Sequence, residues 1–250
     1  MRAGDTSTRS RARGLLAGTV PVSMSAGPGP RFVVVLQGCT FDCLACDHPT
    51  TIPHRVVGGA RWVEVDELVA AIRAVHPGVA GVTVAGGEAT GQWSFVLELF
   101  QALRDDPELS GLTRFVHTNG DAEAGVWELL GPVMDMAVVD LKAFDPDVHR
   151  FLTGRSNERV LVTVELLARR RQLHEVRLLL LPGINDSDRE LLRTADWLQR
   201  VAPGVPLRLQ GFHQEGVRCL AEGFPEMTAE QLRRAAATLS LAGLVEVTTV

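Results

Sequence analysis

The sequence predicts an α/β domain in which βα units wind around a parallel sheet. Two observations carry this. From Arg31 onward, short β-branched or leucine-rich runs alternate with longer stretches of helical periodicity, the pattern of strand–helix crossovers. The chain has 250 residues, 46% of them hydrophobic, which suffices for one sizeable core, and no internal repeat divides it.

Residues 1–27 bring Arg2, Arg9, Arg11 and Arg13 among serine, threonine and glycine with little apolar periodicity, and are expected to be a disordered tail. The core domain is then expected to span residues 28–250. Its first strand is predicted at Phe32–Leu36, followed by a helix over Val63–Val75. A second strand at Val82–Ala85 precedes a helix at Trp93–Leu103, and a third at Thr113–His117 precedes a helix at Ala122–Leu130. The fourth strand, Met136–Asp140, leads to a helix at Asn157–Arg171. The fifth, Val176–Leu181, leads to one at Ser187–Val201. Leu207–Gln210 closes the set of strands and Ala229–Leu239 is the last helix. In parallel barrels the reactive groups sit on the loops after the strands' C-terminal ends, and five of the six such loops here hold a polar cluster.

Composition narrows the function classes. A formal net charge of −5 argues against a nucleic-acid partner. The longest apolar runs fall far short of the ~20 residues a membrane span needs, so the protein is expected to be cytoplasmic. Three of the four cysteines fall within eight residues and Cys219 stands alone, which is the spacing of metal ligands and not of an extracellular disulfide framework.

The first predicted strand runs into Gly38-Cys39-Thr-Phe-Asp-Cys43-Leu-Ala-Cys46, a CxxxCxxC loop that lets three thiolates converge on one metal centre. Soft thiolates suit iron–sulfur, and three ligands leave one position open for a bound molecule. The alternative is zinc completed by His48 or Cys219, although structural zinc loops normally pair CxxC units. Gly86-Gly87-Glu88 follows the second strand and exposes backbone to a close approach, yet alone such a triplet is more often a plain turn than a site. Asp140-Leu141-Lys142 ends the fourth strand, and Lys142 is the sole lysine among 25 basic residues. It is a compact point charge able to pair with a carboxylate, Asp140 or a ligand's. His117-Thr-Asn-Gly120, Arg177 and Phe212-His213-Gln-Glu215 are further candidates, although a lone strand-end histidine is more often structural and a strand arginine more often an ion pair than a ligand contact.

Together these motifs resemble the radical S-adenosylmethionine (SAM) superfamily and, within it, the activating enzymes of glycyl radical enzymes. The resemblance rests on Gly27-Pro-Gly-Pro-Arg31, Gln37-Gly-Cys39, the three-cysteine loop, Gly86-Gly-Glu-Ala89, Thr118-Asn-Gly120, Asp140-Leu-Lys-Ala-Phe-Asp-Pro-Asp-Val-His149, Leu152-Thr-Gly-Arg-Ser-Asn157, Pro182-Gly183 and His213. It implies a partial (β/α)6 barrel of radical SAM type and a [4Fe–4S] cluster on Cys39, Cys43 and Cys46. It also implies reductive cleavage of SAM to a 5′-deoxyadenosyl radical that removes a hydrogen atom from a glycine of a partner enzyme. By the same resemblance SAM is met by Ala45, Cys46, Asp47, Gly86, Gly87, Glu88, Asp140, Leu141, Lys142, Arg177 and His213, and flavodoxin or ferredoxin donates the electron. The chain departs from the family at Ala26 (acidic there), Ala45 (aromatic), Asp47 (histidine) and His117 (aspartate). Loss of the aromatic at Ala45 removes apolar area worth ~1–2 kcal/mol of SAM binding.

Overall fold

All six apolar runs form strands, and their burial explains why. Val34, Leu36, Val82, Val84, Val116, Val139, Val176 and Leu209 pack into one hydrophobic core with the inner stripes of the helices. Leu68 and Ile72, then Val96, Leu99, Phe100 and Leu103, then Val160, Val164 and Leu167 recur at the three- and four-residue spacing that puts side chains on one helix face.

The structure is a computed structural model and describes residues 12–244 and 246–249. Its strands are β1 (Arg13–Ser23), β2 (Arg31–Leu36), β3 (Arg61–Glu64), β4 (Gly81–Gly86), β5 (Thr113–Thr118), β6 (Met136–Leu141), β7 (Leu173–Leu180), β8 (Leu207–Gly211) and β9 (Val247–Thr249). The helices are α1 (Val65–Val75), α2 (Trp93–Asp105), α3 (Ala124–Leu130), α4 (Pro146–Thr153), α5 (Glu158–Arg169), α6 (Asp188–Val201) and α7 (Ala229–Leu241). The sheet order is β3-β1-β2-β4-β5-β6-β7-β8-β9. From β2 to β9 every neighbour is parallel, while β1 runs antiparallel to both β2 and β3. With β3 and β9 as its two edges the sheet stays open, the partial barrel that the sequence implies. Among the described residues no helix is long and apolar enough to cross a membrane.

The expected disordered tail needs correction. Residues 1–11 lie outside the described residues, but Arg13–Ser23 is an eleven-residue strand, and Leu15 and Leu16 are buried. Its register against β2 and β3 runs through Gly14 and Gly18, residues that read as linker in sequence. At Gly14 a Cβ would lie 2.5 Å from the Phe95 ring, so that glycine permits α2 to pack on the strand.

The segment that follows β1 closes the N-terminal end of the parallel strands. Its carbonyls at Ser25, Ala26 and Pro28 accept from Arg177 (3.0 Å), Thr83 (2.8 Å) and Arg31 (3.3 Å) respectively. Arg31 is fully buried, lies 4.1 Å over the Phe115 ring and donates four further bonds, to Thr83 and Thr113 hydroxyls and to the Val82 and Thr113 carbonyls. Burial pulls its pKa down to about 10, so it remains charged at neutral pH. Beside it Glu175 bridges Arg177 (2.7 Å) and Arg208 (2.9 Å).

Candidate active site

At the opposite, C-terminal end the loop after β2 is folded back by its own polar groups. The Gln37 amide donates to the carbonyls of Thr50 (2.8 Å) and Pro53 (2.9 Å). Gly38, at φ 100°, turns the chain so that its N–H reaches Thr51 O and that of Cys39 reaches Ile52 O. Helix α4 then holds the cysteine loop from beneath. Asp42 and Leu44 N–H groups donate to Thr153 O (3.1 Å) and Leu152 O (2.9 Å), and Arg155 Nε donates to Thr40 O (3.2 Å). Phe41 is buried edge-on against His149 of α4, ring centroids 5.4 Å apart.

This scaffolding brings Cys39, Cys43 and Cys46 to the wall of one cavity of about 480 Å³. The Phe41 N–H points to Cys39 Sγ at 3.4 Å and the Asn119 side chain approaches it at 3.7 Å. Burial pushes the Cys39 thiol up to about 12 and the Cys43 thiol to about 11, and raises Cys46 as well. Free thiolates are therefore disfavoured, and the groups become thiolates when a metal binds them and displaces their protons to solvent. Among the described residues no set of three or more His, Cys, Asp or Glu side chains is gathered around a single-ion position, the arrangement that a zinc site completed by His48 or Cys219 would use. Three soft ligands on one loop at the wall of one cavity fit an iron–sulfur cluster instead.

The glycines after β4 serve the same loop. A Cβ on Gly86 would lie 2.2 Å from Leu36 O, and one on Gly87 would lie 2.4 Å from Gly38 O and 2.6 Å from Thr51 O. What approaches Gly86 is thus the end of β2 and what approaches Gly87 is the turn that opens the cysteine loop, while both residues still line the cavity. Glu88 also borders the cavity, but its carboxylate is turned inward and accepts from Thr90 N (2.8 Å), Thr90 Oγ1 (2.6 Å), Thr118 Oγ1 (2.7 Å) and Asn119 N (2.7 Å). Burial pushes its pKa up, and these four donors work against that push.

At the end of β6 Asp140 joins Lys142 (3.0 Å) on one oxygen and His117 Nε2 (2.9 Å) on the other. Burial opposes ionisation of Asp140, yet the Lys142 ammonium and the hydrogen bond from His117 hold its carboxyl well below the ordinary range, and Asp140 keeps the Lys142 ammonium raised in turn. Arg177, Ala45, Asp47 and His213 also border the cavity. Leu141 does not. The alternation of a strand turns it to the outer face, where it is fully buried in the main core, so its side chain stands apart from the other expected SAM contacts.

Ser25 at the floor and Gln210 and Val217 around β8 line the cavity without being singled out in the sequence, while Leu152 and Thr153 of α4 and Phe212 lie in motifs quoted without a contact role. Phe212 carried a signal, since it precedes His213 in a motif already singled out. Leu152, Phe212, Ala45 and Val217 share a small satellite core, so apolar wall remains where the aromatic at position 45 is missing.

A three-thiol loop at the C-terminal end of an open parallel α/β sheet defines a class of enzyme. The family model described as the Radical SAM superfamily matches residues 33–195, and the chain belongs to that superfamily. It is 31% identical over 205 residues to the pyruvate formate-lyase-activating enzyme of Staphylococcus epidermidis, covering 76% of this chain and 78% of that one. It is 28% identical to the enzyme of the same name from Streptococcus mutans, over 81% of this chain and 79% of that one. In fold it resembles a domain of pyruvate-formate lyase-activating enzyme from Bacteroides vulgatus, with 22% identity, a TM-score of 0.57 and coverage of 68% of this chain and 99% of that chain. The superfamily implies a [4Fe–4S] cluster and SAM, and the thiol loop fits the first of these.

Proposed function

We propose that the chain is an activating enzyme that installs a glycyl radical on a partner enzyme, drawing electrons from flavodoxin or ferredoxin in the cytoplasm. Cys39, Cys43 and Cys46 would hold the cluster. When bound, cluster and SAM together supply a one-electron reductive cleavage whose product abstracts a hydrogen atom. The observation that carries the reading is the meeting of the three thiols with the Asp140–Lys142 pair in one cavity, in a chain similar to activating enzymes over most of its length.

The chain's own groups divide the work. Lys142, held in place by Asp140, offers an ammonium to a ligand carboxylate, while Asp140 and the backbone at Gly86 and Gly87 offer acceptors to a ligand ammonium. Arg177 and His213 border the cavity at the level of β7 and beyond β8. Ala45, Leu152, Phe212 and Val217 furnish apolar wall. No side chain is needed as acid or base, so the protein's task is to orient and to exclude water.

The test is anaerobic incubation of the reconstituted chain with SAM, reductant and a glycyl radical enzyme from the same genome. A doublet glycyl signal in electron paramagnetic resonance is expected on the partner. SAM cleavage without any such signal on every candidate would move the hydrogen donor to a small molecule or peptide.

A further inference from the structure

The cysteine loop is held on one side by α4, and a second element grips it from the other. The chain after β8 is first fixed to itself: Gln214 donates through its N–H to Glu226 (2.9 Å) and through its amide to the carbonyls of Glu222 (2.9 Å) and Phe224 (3.1 Å), and Ala221 is wholly buried in the satellite core with Phe212. From this base it returns to the cysteines. Gly216, at φ 77°, leaves so little room that a Cβ would lie 2.9 Å from the Asp47 carbonyl. Two residues on, Arg218 Nη1 faces Asp42 Oδ1 (2.7 Å), Asp42 O (3.1 Å) and Cys43 O (3.1 Å). That one nitrogen spans 175 and 176 residues of sequence to reach both sides of the Asp42–Cys43 peptide.

We propose that Arg218 is a positioning residue for the cluster: it locks the Cys43 turn of the ligand loop and places a permanent positive charge beside the thiolates. The inference rests on the reading of those three thiols as cluster ligands. Arginine suits the role because its guanidinium stays charged at any working pH and presents a planar array of donors, whereas lysine offers a mobile point charge. Reduction adds negative charge to a centre already carrying thiolates. A cation fixed nearby favours the reduced form, and net charge and hydrogen bonding are among the factors that set cluster potentials. Arg218 is three-quarters buried at its side chain, Asp42 largely exposed. The contact thus lies at the rim, where its removal leaves the folded core intact.

Two measurements on the full-length chain test this, one without the cluster and one with it. In the cluster-free protein, Arg218→Ala is expected to raise deuterium uptake several-fold over residues 39–46, leaving the sheet's protection unchanged. In the reconstituted protein the same variant is expected to shift the cluster's midpoint to a more negative potential. Arg218→Lys is expected to restore the potential without restoring the protection. Unchanged uptake over residues 39–46, a rise spread across the whole chain, or an unmoved potential would each overturn the proposal. A parent chain that binds no iron while the uptake contrast persists would instead refute the cluster reading and leave the lock itself standing.

Discussion

At the N-terminal end of the parallel strands Arg31 meets five oxygens, and Glu175 is shared by Arg177 and Arg208. At the C-terminal end three thiols line a cavity, Cys39 approached by the Phe41 N–H and the Asn119 amide and Cys46 by the His48 backbone, while Asp140 is paired on both its oxygens. Both ends bury polar chemistry, and at both the carboxylates are matched by groups of the chain itself, Glu175 below and Glu88 and Asp140 above, whereas the thiols have few such partners. Buried polar groups are normally satisfied, because each one left unmatched costs about 1–3 kcal/mol. Arg114 Nε and Nη1 stay buried without a partner at the lower end, while at the upper end the thiols, which burial keeps protonated, are the groups a metal centre would engage.

Substitutions that separate stability from cofactor retention sharpen this contrast. Cys43→Ala is expected to have the largest effect, abolishing iron retention after anaerobic reconstitution while the cluster-free chain unfolds within about 1 kcal/mol of the parent. Iron analysis beside urea denaturation checks both halves. Arg31→Met should do the reverse, costing about 3–5 kcal/mol of stability through five stranded oxygens, with whatever protein remains folded still taking up iron. Glu88→Gln, which turns an amide N–H₂ toward groups that are all donors, is expected to cost about 2–3 kcal/mol and is read from the shift in denaturation midpoint.

A smaller effect follows from the thiols. In the cluster-free fold Cys39 and Cys43 are raised to about 12 and about 11 from an ordinary 9.0. Below pH 9 they are protonated folded or unfolded and contribute no pH dependence. Above it the unfolded chain loses these protons first, so stability falls as pH rises from 9 toward 11. The fall expected at pH 10.5 is roughly 2 kcal/mol per buried thiol, less in Cys43→Ala. Denaturation midpoints at pH 8 and pH 10.5 measure it, and equal slopes in the two proteins would break the argument.

Much of this molecule is legible in its sequence, and the exceptions have identifiable causes. The six parallel strands announce themselves by β-branched runs, and the three cysteines by spacing. Strand β1 hides because Gly14, Gly18 and Pro21 interrupt its pattern, although Leu15 and Leu16 carry its buried contacts. Helix α4 is only eight residues long and sits between Asp145, which caps it, and Gly154 in the left-handed region. Its Pro146 start and glycine stop were readable signals, obscured by their likeness to a turn. Strands β3 and β9 are too short to show a period. The site's motifs were visible, but its partnerships were not. That Glu88 spends its carboxylate on Thr118 and Asn119, or that Arg218 reaches Cys43, depends on contacts between residues 30 to 175 positions apart, which no local pattern encodes.

The most direct test of the claim that the upper end is built for a cluster and SAM is dithionite-dependent conversion of SAM to 5′-deoxyadenosine by the reconstituted chain. The account expects product from the parent and none from Cys43→Ala. An intact cluster on the parent with no 5′-deoxyadenosine formed would contradict it.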